Sequence, residues 1–161
     1  MTDDIPHNGR PAEAPEFLLD QFEGLVLDHY RNDRLEAANR LLDELLKHRP
    51  ERDDLWCLAG VIHRRRNRYA DALKALRTAL QLDAENYNAA CNLGEILISL
   101  GQVPTGVDIL ESVFDETHRD GVPAEEQSEW TIRAGAQLEL VRDLLDELEQ
   151  QEFGLFASDD K

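Results

Sequence analysis

A chain of 161 residues, 42% hydrophobic and 32% charged, holds enough apolar material for one folded domain and too much for a wholly disordered polypeptide. Its formal net charge of −17 repels phosphate, which excludes nucleic acid and anionic membrane surfaces as general partners, while basic or neutral apolar protein surfaces remain open to it. The same acidity also serves solubility by itself, and no run of about 18 apolar residues offers membrane insertion.

Residues 1–15, MTDDIPHNGRPAEAP, read as a disordered acidic tail without the apolar stretch of a secretory signal, so a cytoplasmic location is expected. From residue 16 the pattern turns helical. Apolar residues recurring three and four apart predict helices over 16–31, 35–48, 53–66, 69–82, 87–100, 103–117 and 124–151. Asn32-Asp33, Asn67, Gly101 and the stretch 118–123 supply the breaks, and Pro104 sits in a first turn that accepts it.

The first six helices repeat. Phe22, Trp56 and Ala90 are successive steps of 34 residues, and the step recurs in Val26, Gly60 and Gly94, in Ala38, Ala72 and Gly106, and in Leu42, Leu76 and Leu110. Such a period means stacked units, none able to bury its apolar stripe alone. Gly60, Ala72, Ala79, Gly94 and Gly106 are small where helices have to cross closely.

The central copy, DDLWCLAGVIHRRRNRYADALKALRTALQLDAEN, resembles the tetratricopeptide repeat family, whose unit is two antiparallel helices totalling 34 residues. The first copy, about 19–52, has Val26 where the family has a small residue, and the third, about 87–120, has His118 where it has proline. The resemblance implies an all-α, right-handed solenoid of three helix pairs, followed by one long helix.

That last helix lies outside the 34-residue register. Its stripe of Trp130, Ala134, Leu138, Val141, Leu145 and Leu148 is expected to cap the stack, with Glu139, Arg142, Asp143, Asp146 and Glu149 as a polar outer surface. Being longer than its neighbours, its distal half around Leu144 and Leu148 can instead project and pair with a second copy as a homodimer. Residues 152–161 read as a tail, in which EFGLF at 152–156 is either a docking motif or a frayed helix end.

Catalytic groups do not converge. The five histidines are scattered without an HExxH pair, Cys57 and Cys91 form no CxxC motif, no GxSxG elbow is present, and GQVPTG is followed by Val107 and Asp108 where a phosphate loop needs Lys and Ser/Thr. The reading is therefore of a protein that is not an enzyme and takes no metal or cofactor. Cys57 and Cys91 occupy equivalent places on successive repeats, an expected separation of about 8–10 Å that exceeds the disulfide reach of about 7 Å. Reduced thiols in an apolar wall are expected.

In the tetratricopeptide family the first helix of each pair lines a concave surface that holds extended peptides or helices. The resemblance places Leu27, Tyr30 and Arg31 there from the first copy, with Glu23; Cys57, Val61, Arg64 and Arg65 from the second, with Asp54; and Asn88, Cys91, Glu95 and Ile98 from the third, with Ser99. Leu27 and Ile98 read equally well as residues packed beneath terminal segments. Arg66 and Arg68 suit a helix C-terminus, and Arg64 and Arg65 either do the same or meet an acidic group of a partner. The lysines of the family's carboxylate-clamp subgroup are missing, since the matching positions hold Glu23, Leu27, Leu58, Asn88 and Asn92.

Three repeats, a closing helix that reads WTIRAGAQLELV, and marked acidity resemble the bacterial type III secretion chaperones of translocator proteins. Those chaperones carry a further N-terminal helical segment that 1–15 does not match. The resemblance implies a small non-catalytic chaperone whose trough holds a segment of a partner; the alternative is a general adaptor in a multiprotein assembly.

Overall fold

A computed structural model describes residues 15–156; the expected tail 1–14 and residues 157–161 lie outside the described residues. Six helices follow in chain order: α1 Glu16–Arg31, α2 Leu35–His48, α3 Asp53–Arg65, α4 Tyr69–Leu82, α5 Tyr87–Ser99 and α6 Val103–Thr117. The turn inside each pair is built the same way. Asp33, Asn67 and Gly101, again 34 apart, take positive φ of 57°, 58° and 80°, a region open to Gly and, more than to most residues, to Asn and Asp. Each turn closes with a bond from the next amide, Arg34 N to His29 O, Arg68 N to His63 O and Gln102 N to Leu97 O, at 2.8–2.9 Å.

Within a pair the two helices cross closely where the first carries glycine. A Cβ added to Gly60 would fall 2.5 Å from Leu76 Cγ, and one on Gly94 would fall 2.9 Å from Leu110 Cγ and 3.1 Å from the Gly106 carbonyl oxygen. The two glycines hold matching places in consecutive pairs. Val26 holds the corresponding place in α1, fully buried in one cluster with Ala38 and Leu42. Between pairs, Trp56 donates its indole N–H to Pro50 O at 2.8 Å, and the Asn86 amide donates to Asp53 at 2.6 Å. Arg49, 7% exposed at the end of α2, ties α1 down by donating to Asp20 at 2.8 Å, to Glu23 at 3.3 Å and to Glu16.

The last helix departs from expectation at both ends. After a 3-10 turn at Ala124–Glu126, α7 runs Glu129–Phe156. The chain cannot enter the helix at 124 because the Gln127 side chain is bound to Arg119 N, Arg119 O and Val122 O, and Ser128 then caps by accepting from Thr131 N at 3.1 Å. At the far end the backbone stays helical through 152–156, the segment read as the start of a tail.

Trp130, Ala134 and Leu138 pack into the core between α5 and α6, and Val141 is buried, but Leu145 and Leu148 are exposed. Length explains this. At 1.5 Å per residue the 28 residues of α7 span about 42 Å and the 15 of α6 about 22 Å, so α7 outruns its support. Of the expected polar outer surface, Glu139, Arg142, Asp143 and Asp146 are exposed, but they share the helix surface with Ile132, Leu140 and Leu144, each at least half exposed.

Candidate partner-binding groove

The first helices of the pairs leave an open trough of about 530 Å3 between them. Tyr30 reaches it from α1, Cys57 and Val61 from α3, Asn88 and Asn92 from α5, and Arg133 from α7. Every-turn spacing explains the convergence, because residues four apart share one face of a helix.

One wall is ionic. Glu95 accepts from Arg64 at 2.6 Å and from Arg133 Nε at 2.8 Å, joining three helices at one carboxylate. Burial alone would raise its pKa, but the hydrogen bonds from Arg133 and Arg64 outweigh that and hold the carboxyl below its ordinary range. Arg64 also donates to Asn92 at 3.3 Å and Arg133 to Asn88 at 3.2 Å. The Asn92 amide donates back to Asn88, so the groove floor is a connected polar network.

The opposite wall is aromatic. Arg65 lies over the Tyr30 ring, 4.9 Å from its centroid, and donates to Tyr30 O at 3.3 Å and to Asp33 at 2.8 Å. The remaining cations of the basic run are also paired, Arg66 with Glu36 of α2 at 2.5 Å and Arg68 with Asp71 of the next helix at 2.6 Å.

Of the residues assigned by resemblance, Tyr30, Cys57, Val61 and Asn88 line one groove, with Arg64 and Glu95 in its ionic wall and Arg65 behind Tyr30. Leu27 is half-buried and Arg31 exposed on α1. Cys91 is fully buried in a cluster with Leu110, Val113 and Ala134, beneath α7. Ile98 packs on α6, where its Cγ1 would lie 2.6 Å from a Cβ on Gly106. Both thiols are free; burial pushes Cys57 up to about 11 and raises Cys91.

Sequence reasoning missed two lining residues, Asn86 at the start of α5 and, on α7, Arg133. The signal for Arg133 was a lone cation in an otherwise apolar and small-residue turn, WTIRAGA, where a charge needs a partner. Among the described residues no group of three or more His, Cys, Asp or Glu is placed to hold a metal ion, and no helix is long and apolar enough to cross a membrane.

Two family models, both for the tetratricopeptide repeat, match residues 24–87 and 63–122. No curated protein matches the chain. Among solved structures, the Yersinia enterocolitica type III secretion translocator chaperone SycD, in an alternative dimer, is similar over 82% of this chain and 96% of that one, with TM-score 0.72 at 15% identity. PcrH in complex with the chaperone binding region of PopD is similar over 81% and 95%, with TM-score 0.70 at 20% identity. A T3SS complex from Aeromonas hydrophila is similar over 82% and 85%, with TM-score 0.70 at 18% identity. At these identities the likeness is one of fold.

Proposed function

The chain belongs to the tetratricopeptide repeat family, and from that premise we propose that it is a non-catalytic chaperone that holds a segment of a partner protein in its groove, of the kind that serves type III secretion. The observation that carries the reading is the pairing of surfaces in one trough. Tyr30, Cys57 and Val61 offer an apolar side, and Asn88, Asn92 and Arg133 offer fixed donors and acceptors opposite it. An extended or helical segment presents the matching alternation of apolar side chains and polar backbone or side-chain groups. A solved relative of the same fold, PcrH, holds the chaperone binding region of PopD, which supports a segment of a translocator as the occupant. Holding such a segment keeps its apolar residues from aggregating before assembly.

Calorimetry with candidate translocator segments tests this. Val61→Glu combined with Tyr30→Ala places a charge in the trough and removes the ring under Arg65, and affinity is expected to fall at least tenfold with the helical circular-dichroism signal preserved. Affinity unchanged for every segment that the parent chain binds removes the groove from the mechanism.

A further inference from the structure

Two arginines share one carboxylate at the groove, and the carboxylate is the most buried of the three. The Glu95 side chain is 12% exposed, while Arg64 and Arg133, which bind its two oxygens at 2.6 and 2.8 Å, are 37% and 30% exposed. The cations outnumber the acid, so one positive charge is left over on the exposed side of the cluster. The other charged side chain that lines the trough, Asp54, is already bound by Arg52 at 2.8 and 2.6 Å. The surplus reaches the lining. Burial pushes the Cys57 thiol up, but of the charges around it Arg133 acts most strongly and pulls the other way, against Asp53 and Asp54.

Hydrogen-bond capacity points in the same direction. Both Glu95 oxygens are taken, the Asn92 side-chain oxygen accepts from Arg64, and the Asn88 side-chain oxygen accepts from Asn92 and from Arg133. What remains is donors. Among the described residues, Nη2 of both arginines, Nε of Arg64 and Nδ2 of Asn88 donate to no protein acceptor, although each of these nitrogens carries hydrogen. A floor of filled acceptors and spare donors, with a positive charge over, is matched by a group that is anionic and accepts at two oxygens at once.

Resting on the reading that the groove holds a client segment, we infer that this segment sets one carboxylate side chain, of Asp or Glu, on Arg133 and Arg64, beside the apolar residues it lays on Tyr30, Cys57 and Val61. Guanidinium groups bind carboxylates through paired, parallel hydrogen bonds with charge on both sides, which a backbone carbonyl or an amide does not equal. Only one such residue is accepted. Elsewhere a chain of net charge −17 repels acid, so the seat fixes the register of the client as well as its affinity. The family's positions for gripping a chain-terminal carboxylate hold Glu23, Leu27, Leu58, Asn88 and Asn92, with no cation among them, and Arg133 comes from α7, outside the repeats.

The probe is a random dodecapeptide library fused through its C-terminal ends, so that side chains supply every carboxylate in it, selected on the full chain. Peptides retained by the parent chain but not by Val61→Glu combined with Tyr30→Ala bind the groove; these are synthesised with amidated ends and measured by fluorescence anisotropy. They should share an Asp or Glu at a fixed distance from an apolar residue. Changing that residue to Asn or Gln should weaken binding to the parent at least tenfold and to Arg133→Gln at most threefold, with the parent's loss shrinking as salt rises. The amide peptide should bind parent and variant alike, which separates a contact with the client from support of the helix joint. Arg64→Gln, which leaves Arg133 on Glu95 and so keeps α7 tied, should repeat the result. Groove binders with no shared acidic residue, or an acid-to-amide change that weakens binding equally in the parent and both variants, overturn the inference and leave the groove reading standing. So does a free C-terminal carboxylate that restores affinity to the amide peptide, because the seat then takes a chain end. If no retained peptide depends on Tyr30 and Val61, the groove reading itself falls and takes the inference with it.

Discussion

Arg133 donates from Nε to Oε1 of Glu95 at 2.8 Å across 38 residues of sequence, and through this pair the closing helix α7 becomes part of the groove wall. Glu95 is the shared acceptor of two arginines, one on α3 and one on α7. Loss of either cation therefore loosens an inter-helix joint as well as a binding surface.

Replacing Arg133 with Met is expected to cost about 1–2 kcal/mol in urea unfolding, since a partly buried, charge-assisted hydrogen bond is lost while Arg64 still neutralises Glu95. Glu95→Gln in the same background should show coupling well above the 0.3–0.5 kcal/mol scatter of independent sites, roughly 1 kcal/mol. Additive single and double variants would remove the joint from the account.

Stability should decline on acidification in two stages. His63 is held below its ordinary pKa, first by burial and then by Arg68, and its Nδ1 is buried without a hydrogen-bond partner. The unfolded chain takes up that proton first, so the contribution is complete above about pH 6.5 and is lost as pH falls from there. Glu95 is likewise lowered in the folded state, so its contribution is complete above about pH 4.5 and is lost as pH falls through its depressed folded value. Thermal midpoints of His63→Gln should lack the upper stage and keep the lower one. A variant that keeps the parent's loss of stability as pH first falls below about 6.5 would contradict the assignment.

Much of this architecture was legible in the sequence because the 34-residue step fixes the turn at Asp33, Asn67 and Gly101 and the crossing at Gly60 and Gly94 together. Two independent signals agreed in the second and third units, while in the first, where Val26 stands at the crossing, the turn at Asp33 carried the reading. The groove was legible only in part. A face assignment by helical position names Cys91 and Ile98 as readily as Val61, but α7 buries the first and α6 packs on the second, and both coverings depend on tertiary neighbours. Arg133 escaped for a related reason: α7 lies outside the 34-residue register and so reads as a foreign cap, yet it packs on α6 and α5 as α5 packs on α4 and α3.

The glycines of the helix crossings should rank by what obstructs a methyl group. At Gly106 a Cβ would meet Gly94 O at 2.7 Å and Ile98 N at 3.1 Å, which are backbone atoms. At Gly60 it would meet the side chain of Leu76, and at Gly135 only a ring at 3.2 Å. Alanine gains about 1 kcal/mol over glycine from helix propensity, while overpacking costs about 1–3 kcal/mol. Gly106→Ala should be the most destabilising, Gly60→Ala intermediate, and Gly135→Ala neutral or stabilising by up to about 1 kcal/mol. A Gly135→Ala variant less stable than Gly106→Ala would invalidate the packing argument.

Arg49→Met should loosen α1 selectively. The cation is almost fully buried, whereas Glu16 and Asp20 are exposed and Glu23 is not, so its removal leaves three carboxylates facing one another at the start of the first helix. Hydrogen exchange of α1 amides should accelerate tenfold or more while α3 to α5 keep their protection. Uniform acceleration across all helices would mean that Arg49 supports the whole stack.

The two thiols should resist modification for different reasons, and a client should separate them. Cys57 lines the groove yet is only 3% exposed, and burial pushes its pKa up to about 11, leaving roughly 0.1% thiolate at pH 8. Cys91 lies beneath α7, fully buried, with its pKa also raised. Ellman's reagent should label the folded chain slowly at Cys57 and more slowly at Cys91, and both rapidly once guanidinium unfolds it. An occupant of the groove covers Cys57 directly, so a bound client segment should slow its labelling further without changing the rate at Cys91. Fast labelling of Cys91 in the folded chain would mean that α7 does not cover it, and equal protection of both thiols by client would place that segment somewhere other than the trough.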